Sequence, residues 1–155
     1  MSGLRVIKAA EAPLRQRASI YPPEFAVRMA GRAKRPLGDL FGLGNFGVNY
    51  TELRPGAVSA LAHAHSRQDE FIYVLQGQLV LVTDTVETLI CAGDCAGFPA
   101  GGDSHHLENR SDEIAIYLEV GDRTAGDVVT YPQDDLKAVN ESGVWVFTRK
   151  DGTPF

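Results

Sequence analysis

Two cysteines, no long apolar run and no excess of positive charge bound this 155-residue chain before any motif is read. Cys91 and Cys95 stand alone, so a four-cysteine zinc site and a disulfide framework are both excluded. A single link between them would need a tight turn at Ala92-Gly93-Asp94 and an oxidising compartment. The expectation is two free thiols, packed as small buried core residues. No segment approaches the roughly 18–20 apolar residues that cross a bilayer. The opening MSGLRVIKAAEAP has no apolar h-region, so cytoplasm is expected. A net charge of −5 speaks against general nucleic-acid binding. Internal repeats and low-complexity segments are also missing.

Length and a hydrophobic content of 44% fit one soluble domain with an attached arm. Charge divides unevenly along it. Residues 1–46 carry eight Lys/Arg against three Asp/Glu, a net +5, while the remainder carries seven against seventeen, a net −10. Either the arm lies on an acidic body, its own or a partner's, or it is a solvated start. Pro13, Pro22, Pro23 and Pro36 break its periodicity, so one or two short strands are expected there. Gly-rich residues 37–47 leave room for at most one helical turn.

From Val48 the pattern becomes that of short strands separated by turn residues. Val48–Leu53, Val58–His63, Asp69–Leu75, Gln78–Thr83, Thr85–Ile90, Asp94–Phe98, His105–Asn109 and Glu113–Val120 are the predicted strands. Val128–Tyr131, a loop at Pro132–Leu136 and a last strand at Val144–Thr148 follow. Turns every eight to twelve residues predict an all-β antiparallel sandwich or closed barrel. The expected division is an arm at 1–46, a barrel core at 47–123 and a tail at 124–155 packed on the barrel.

The chemistry is concentrated in His63-Ala64-His65, Glu70 and His105. Residues two apart on a strand share a face, so His63 and His65 can reach one ion. Glu70, Ile72 and Val74 likewise share a face, which turns the carboxylate inward beside apolar neighbours, where it needs a partner. Asp69 falls on the opposite, solvated face. Three imidazoles and a carboxylate suit a divalent transition metal.

The stretch GAVSALAHAHSRQDEFIYVLQG, Gly56 to Gly77, together with GDCAGFPAGGDSHHLEN, Gly93 to Asn109, resembles the two-motif signature of the cupin superfamily. Two gaps, Gly56 to His63 and Gly101 to His105, are each one residue longer than the usual pattern. The resemblance implies a double-stranded β-helix, or jelly-roll barrel, with a metal in its mouth held by His63, His65, Glu70 and His105. It selects His105 over His106 through the spacing to Asn109, leaving His106 as an outward residue. Manganese, iron, nickel, zinc and cobalt all suit such a ligand set, and two coordination positions would stay open.

Other candidates are weaker. Asn49 and Thr51 are expected to line the barrel. Tyr50, Tyr73 and Tyr117 are candidate acids, with ordinary strand packing the simpler reading. Arg67 could meet an anionic substrate or be a plain loop residue. The segment from Val120 to Leu136 and the ending Asp151–Phe155 resemble small bacterial cupins that carry a sugar-phosphate-isomerase-like label, a label resting on fold. The expected function is therefore a metal-dependent enzyme on a small polar metabolite, first a sugar or sugar-phosphate isomerase. An iron dioxygenase and a non-catalytic small-ligand binding module are the alternatives. A homodimer is expected, with neither nucleic acid nor membrane as partner.

Overall fold

The computed structural model describes residues 5–17 and 19–155. Four residues at the start of the expected arm, and residue 18 within it, lie outside that description. The arm holds 3-10 turns at Ala9–Glu11 and Val27–Met29 and a four-residue helix α1, Pro23–Ala26. Strand β1, Arg32–Pro36, follows, then helix α2, Leu37–Leu40. The remaining strands are β2 (Phe46–Leu53), β3 (Ala64–His65), β4 (Glu70–Gln76), β5 (Gln78–Thr83), β6 (Glu87–Cys91) and β7 (Cys95–Phe98). After them come β8 (His105–Glu108), β9 (Ala115–Asp122), β10 (Val128–Thr130), β11 (Lys137–Glu141) and β12 (Val144–Thr148).

One layer is a five-stranded sheet in the order β1-β2-β9-β4-β7. The rest is a four-stranded sheet, β12-β11-β10-β3, and a three-stranded sheet, β6-β5-β8. All strand pairs are antiparallel. The two smaller sheets meet through the bridges Val58↔Glu108 and His63↔His105. This is an all-β jelly-roll barrel, within what the strand pattern predicts and as the cupin resemblance implies.

Alternation along the strands builds the interior. On β4, Ile72 and Val74 are buried while Phe71, Tyr73 and Leu75 are about two-fifths exposed. Leu53, Ala57, Leu79, Ile90, Leu107, Ala115 and Tyr117 complete that core. A second core joins Tyr21, Phe25 and Met29 of the arm to Leu61, Val129, Tyr131, Leu136 and Ala138. The arm is thus an integral layer. Its cations meet acids of the same chain, in the pairs Arg28–Asp134 at 2.6 Å, Arg35–Glu52 at 3.7 Å and Lys34–Glu119.

Three sequence expectations need correction. Residues 58–63 do not form a strand beyond single bridges at Val58 and His63. Ser59 bends the chain there by using its backbone N–H and its hydroxyl on the two polar groups of Leu107. Strand β11 was not expected, because Asn140 and Glu141 interrupt its apolar pattern. A two-residue turn, Ser142 (φ 54°) and Gly143 (φ 86°), joins it to β12. Positive φ at both positions is the hairpin geometry that matches strand twist. Cys91 and Cys95 are free as expected, yet exposed rather than buried. They flank the β6–β7 turn, where the Asp94 carboxylate accepts from the Cys91 N–H at 2.8 Å.

Asn109 shows how a motif residue can be structural. It is buried, and its amide donates to the carbonyls of Leu53 and Glu113, each at 2.8 Å, tying the end of β8 to β2 and to the approach to β9. Leu53 beside it is fully buried, so Leu53→Ala should lower unfolding free energy by about 2–5 kcal/mol. Urea denaturation with an unchanged slope would report that loss.

Candidate functional site

His63 and His105 face each other across the bridge between the two smaller sheets. Their backbones exchange both hydrogen bonds, His63 N–H to His105 O at 3.2 Å and the reverse at 2.9 Å. Such a pair holds its two side chains together on one face. The ring centroids are 4.7 Å apart. Two residues on, His65 lies on β3 opposite Val129 of β10. Glu70 opens β4 and reaches in from the five-stranded sheet.

The geometry converges on that carboxylate. Nε2 of His105 is 2.8 Å and Nε2 of His63 is 3.2 Å from Glu70 Oε2, while Nε2 of His65 is 3.4 Å from Oε1. His63, Glu70 and His105 offer ligand atoms within 4.8 Å of one another, a set able to hold a metal ion. The far nitrogens favour that use. His63 Nδ1 lies 2.8 Å from the Leu61 carbonyl, and His65 Nδ1 lies 2.6 Å from Asp127 Oδ2. Donation from Nδ1 in both leaves the Nε2 lone pair for an ion, the outer-sphere arrangement common around metals. Phe98 stacks flat on His105 at 3.6 Å and fixes its ring. The residues fit a divalent metal.

Protons and a metal ion compete for the same Nε2 atoms. Burial pushes the Glu70 carboxyl up, but hydrogen bonds from His105, His63 and His65 outweigh it and hold it well below the ordinary range. Burial works against the His65 cation, yet Glu70 and Asp127 raise it to about 9. Asp127, fully buried, was missed by sequence reasoning; nothing in Gly126-Asp127-Val128 marks it, and only the fold carries it to His65. Its other oxygen accepts from the Arg67 N–H at 2.7 Å and the Ser66 hydroxyl at 3.2 Å.

A cavity of about 770 Å³ opens over this cluster. Asn49 lines it as expected. Thr51 is fully buried, with its hydroxyl 3.4 Å from Glu119. Tyr117 faces the cavity. Its hydroxyl sits beside Thr51 and Ser59 without a well-directed hydrogen bond. Tyr73 lies on the outer face, and neither it nor Tyr50 is among the lining residues. Arg67 is also outside the lining and donates to the Ala125 carbonyl at 3.4 Å. His106 points away from the cluster, but it is buried rather than outward and contacts Glu108 at 2.9 Å. Tyr21, Tyr131, Arg15, Arg32, Lys34 and Glu119 also line the cavity, and single-sequence periodicity carried no signal for them.

The chain belongs to the cupin superfamily. Residues 49–121 match the family described as the cupin domain. A cupin-superfamily sugar phosphate isomerase from Silicibacter pomeroyi has a crystal structure that superposes with a TM-score of 0.90. It is 41% identical over 97% of this chain and 96% of its own. A provisional sugar phosphate isomerase from Acidithiobacillus ferrooxidans is 27% identical over 91% and 98%, with a TM-score of 0.73. A polyketide cyclase from Streptomyces resistomycificus, 18% identical over 77% and 80%, shares the fold alone at a TM-score of 0.64. Among curated proteins none matches.

The Asp127→Asn variant tests the support beneath His65. Burial raises this carboxyl, but the hydrogen bond from His65 and those from the Arg67 and Gln68 N–H groups prevail, so it sits below its ordinary range. A depressed carboxyl stabilises above its unfolded pKa, and that contribution disappears as pH falls through the folded value. Asp127→Asn should therefore lower stability at pH 7 by about 1–3 kcal/mol and flatten the acid limb of a melting-temperature profile.

Proposed function

We propose that this cupin is a metal-dependent enzyme that isomerises a small polar metabolite, a sugar or sugar phosphate. One observation carries the reading: three imidazole Nε2 atoms and one carboxylate converge in the wall of a cavity large enough for such a molecule. The kinship with the isomerase of Silicibacter pomeroyi supports it. In this reading His63, His65, Glu70 and His105 hold the ion, which is manganese, iron, nickel, zinc or cobalt. A metal there would act as a Lewis acid on a substrate oxygen.

The chain's own groups supply the rest. Asp127 orients His65, and the Leu61 carbonyl orients His63. Tyr131 packs 6.3 Å from the His63 ring. Burial, then Tyr21, Glu70 and Asp127, push its hydroxyl well above the ordinary phenol range, so in this reading it stays protonated and does not act as a base. Burial likewise pushes Tyr21 up to about 12. Both phenols thus stay protonated at neutral pH and hydrogen-bond to each other.

His65→Ala should abolish turnover and lower bound metal at least tenfold, as read by elemental analysis of untagged protein. Full metal content in that variant would remove His65 from the ligand set. Stoichiometric iron with oxygen consumption would favour the dioxygenase alternative. A thermal shift from a sugar phosphate recovered unchanged would favour a binding module.

We also propose a cytoplasmic homodimer. Two exposed, unlinked thiols suit a reducing compartment. The apolar outer row Phe71, Tyr73 and Leu75 on β4 suits a second copy. Light scattering at micromolar concentration should give twice the 16.8 kDa chain mass.

A further inference from the structure

The metal-ligand set leaves a carboxylate of the cavity unused. Glu119 of β9 lies between Asn49 of β2 and Ile72 of β4, its partners in register on either side. Residues opposite one another in a sheet share a face, and so do residues two apart on one strand. Glu119 therefore shares the inner face with Ile72 and Glu70 on one side. On the other it shares that face with Asn49, Thr51 and, through the Lys34↔Thr51 pairing, Lys34. Glu70 lies opposite Gly121, so Glu119 is its diagonal neighbour. Diagonal neighbours stand roughly 7–8 Å apart, a gap that a small polar metabolite spans. Gly121 also lines the cavity and puts no side chain beside Glu70.

The two oxygens of Glu119 are held differently. Oε1 accepts from the Lys34 ammonium, from the Asn49 amide at 3.1 Å and from the Thr51 hydroxyl at 3.4 Å. Among the described residues Oε2 has no such donor, and it is open rather than sealed in the interior. The carboxylate lines the cavity, so one oxygen is clamped and the other is presented. Balancing Lys34 explains part of this arrangement. Burial depresses that ammonium, and Glu119 pulls it back up. A counter-ion needs only one contact, however, and that role does not explain why an amide and a hydroxyl are directed at the same oxygen.

Moving a hydrogen between neighbouring carbons needs a positioned base. The other acidic groups of the lining are committed elsewhere. Glu70 and the imidazoles belong to the ligand cluster. Asp39 pairs with Arg123, and the two oxygens of Asp122 accept the backbone N–H groups of Asp69 and Thr124. Burial pushes the hydroxyls of Tyr21, Tyr117 and Tyr131 up, which keeps them protonated.

We propose that Glu119 is the catalytic base, its Oε2 carrying a proton between adjacent carbons of an α-hydroxy aldehyde whose oxygens lie on the histidine–glutamate cluster. This rests on the reading of the cavity as an isomerase site. The C2–H bond breaks, its proton goes to Oε2 and its electron pair forms a C1–C2 double bond as the carbonyl pair moves onto O1. The hydroxyl proton on O2 passes to O1. A C2–O2 double bond then forms, and the C1–C2 pair takes the proton back from Oε2 at C1. The product is the ketose, and Glu119 ends as it began. Lys34, Asn49 and Thr51 are positioning residues that aim Oε2.

The test uses D-glyceraldehyde, D-ribose and D-glucose, each free and as its terminal phosphate ester. Each is incubated in heavy water with the full chain carrying the metal it is purified with, and followed by nuclear magnetic resonance. Wild type should convert at least one of them to its ketose with deuterium at C1. Glu119→Gln keeps an acceptor for the three donors but loses the base. It should lower kcat about 10²- to 10⁴-fold, with KM within about threefold and metal content equal to wild type. Glu119→Asp restores a carboxylate and should recover at least about tenfold of that loss. A ketose without deuterium at C1 would overturn the base, because the hydrogen would have crossed between the carbons directly. Metal lost from Glu119→Gln, or Glu119→Asp no faster than Glu119→Gln, would also overturn it by making the residue structural. The two readings fail separately. Conversion by Glu119→Gln at the wild-type rate removes the base and keeps the isomerase. Wild type that converts none of the six sugars removes both.

Discussion

The hydrogen-bonded pair His63 and His105 is the contact on which this molecule turns. It is a backbone bridge first, closing the seam between the two smaller sheets, and a side-chain pair only as a consequence. Because the two residues exchange both backbone bonds, their imidazoles must emerge on one face, 4.7 Å apart. Glu70 arrives from the opposing five-stranded sheet, held by its register against Phe98 and Gly121. Three sheets therefore meet at one carboxylate. The cluster lies beside both cores, with Ile72 and Leu107 belonging to one and Leu61, Val129 and Tyr131 to the other.

The arm gives the cavity its second chemical character. Its aromatic residues complete a core, and its basic residues use acids of the same chain. The even choice between an arm laid on an acidic body and a solvated start is thus decided by Tyr21, Phe25 and Met29, whose burial alone would anchor the segment. With the arm in place, Arg15, Arg32 and Lys34 join the imidazoles and Glu70 in lining one cavity.

Local patterning carried the strands from β4 to β9, because alternation and turn residues are properties of adjacent positions. It failed at residues 58–63, where bridges to a distant strand replace a continuous ladder, and at β11, where polar residues hid a hairpin that Ser142-Gly143 signals. His63, His65, Glu70 and His105 were legible through spacing and motif, and their side chains do come together. Cys91 and Cys95 were misplaced because a small apolar residue carries no mark of which side of an edge strand it faces.

The sequence by itself determined an all-β domain with a histidine–carboxylate cluster, since strand period and ligand type are local. Only the tertiary structure decided the partners of that cluster. Asp127 stands 62 residues from His65, and Arg15 is carried to Lys34 by one backbone bond. Contacts between residues so far apart are set by sheet register and layer packing, which no window of neighbouring residues contains.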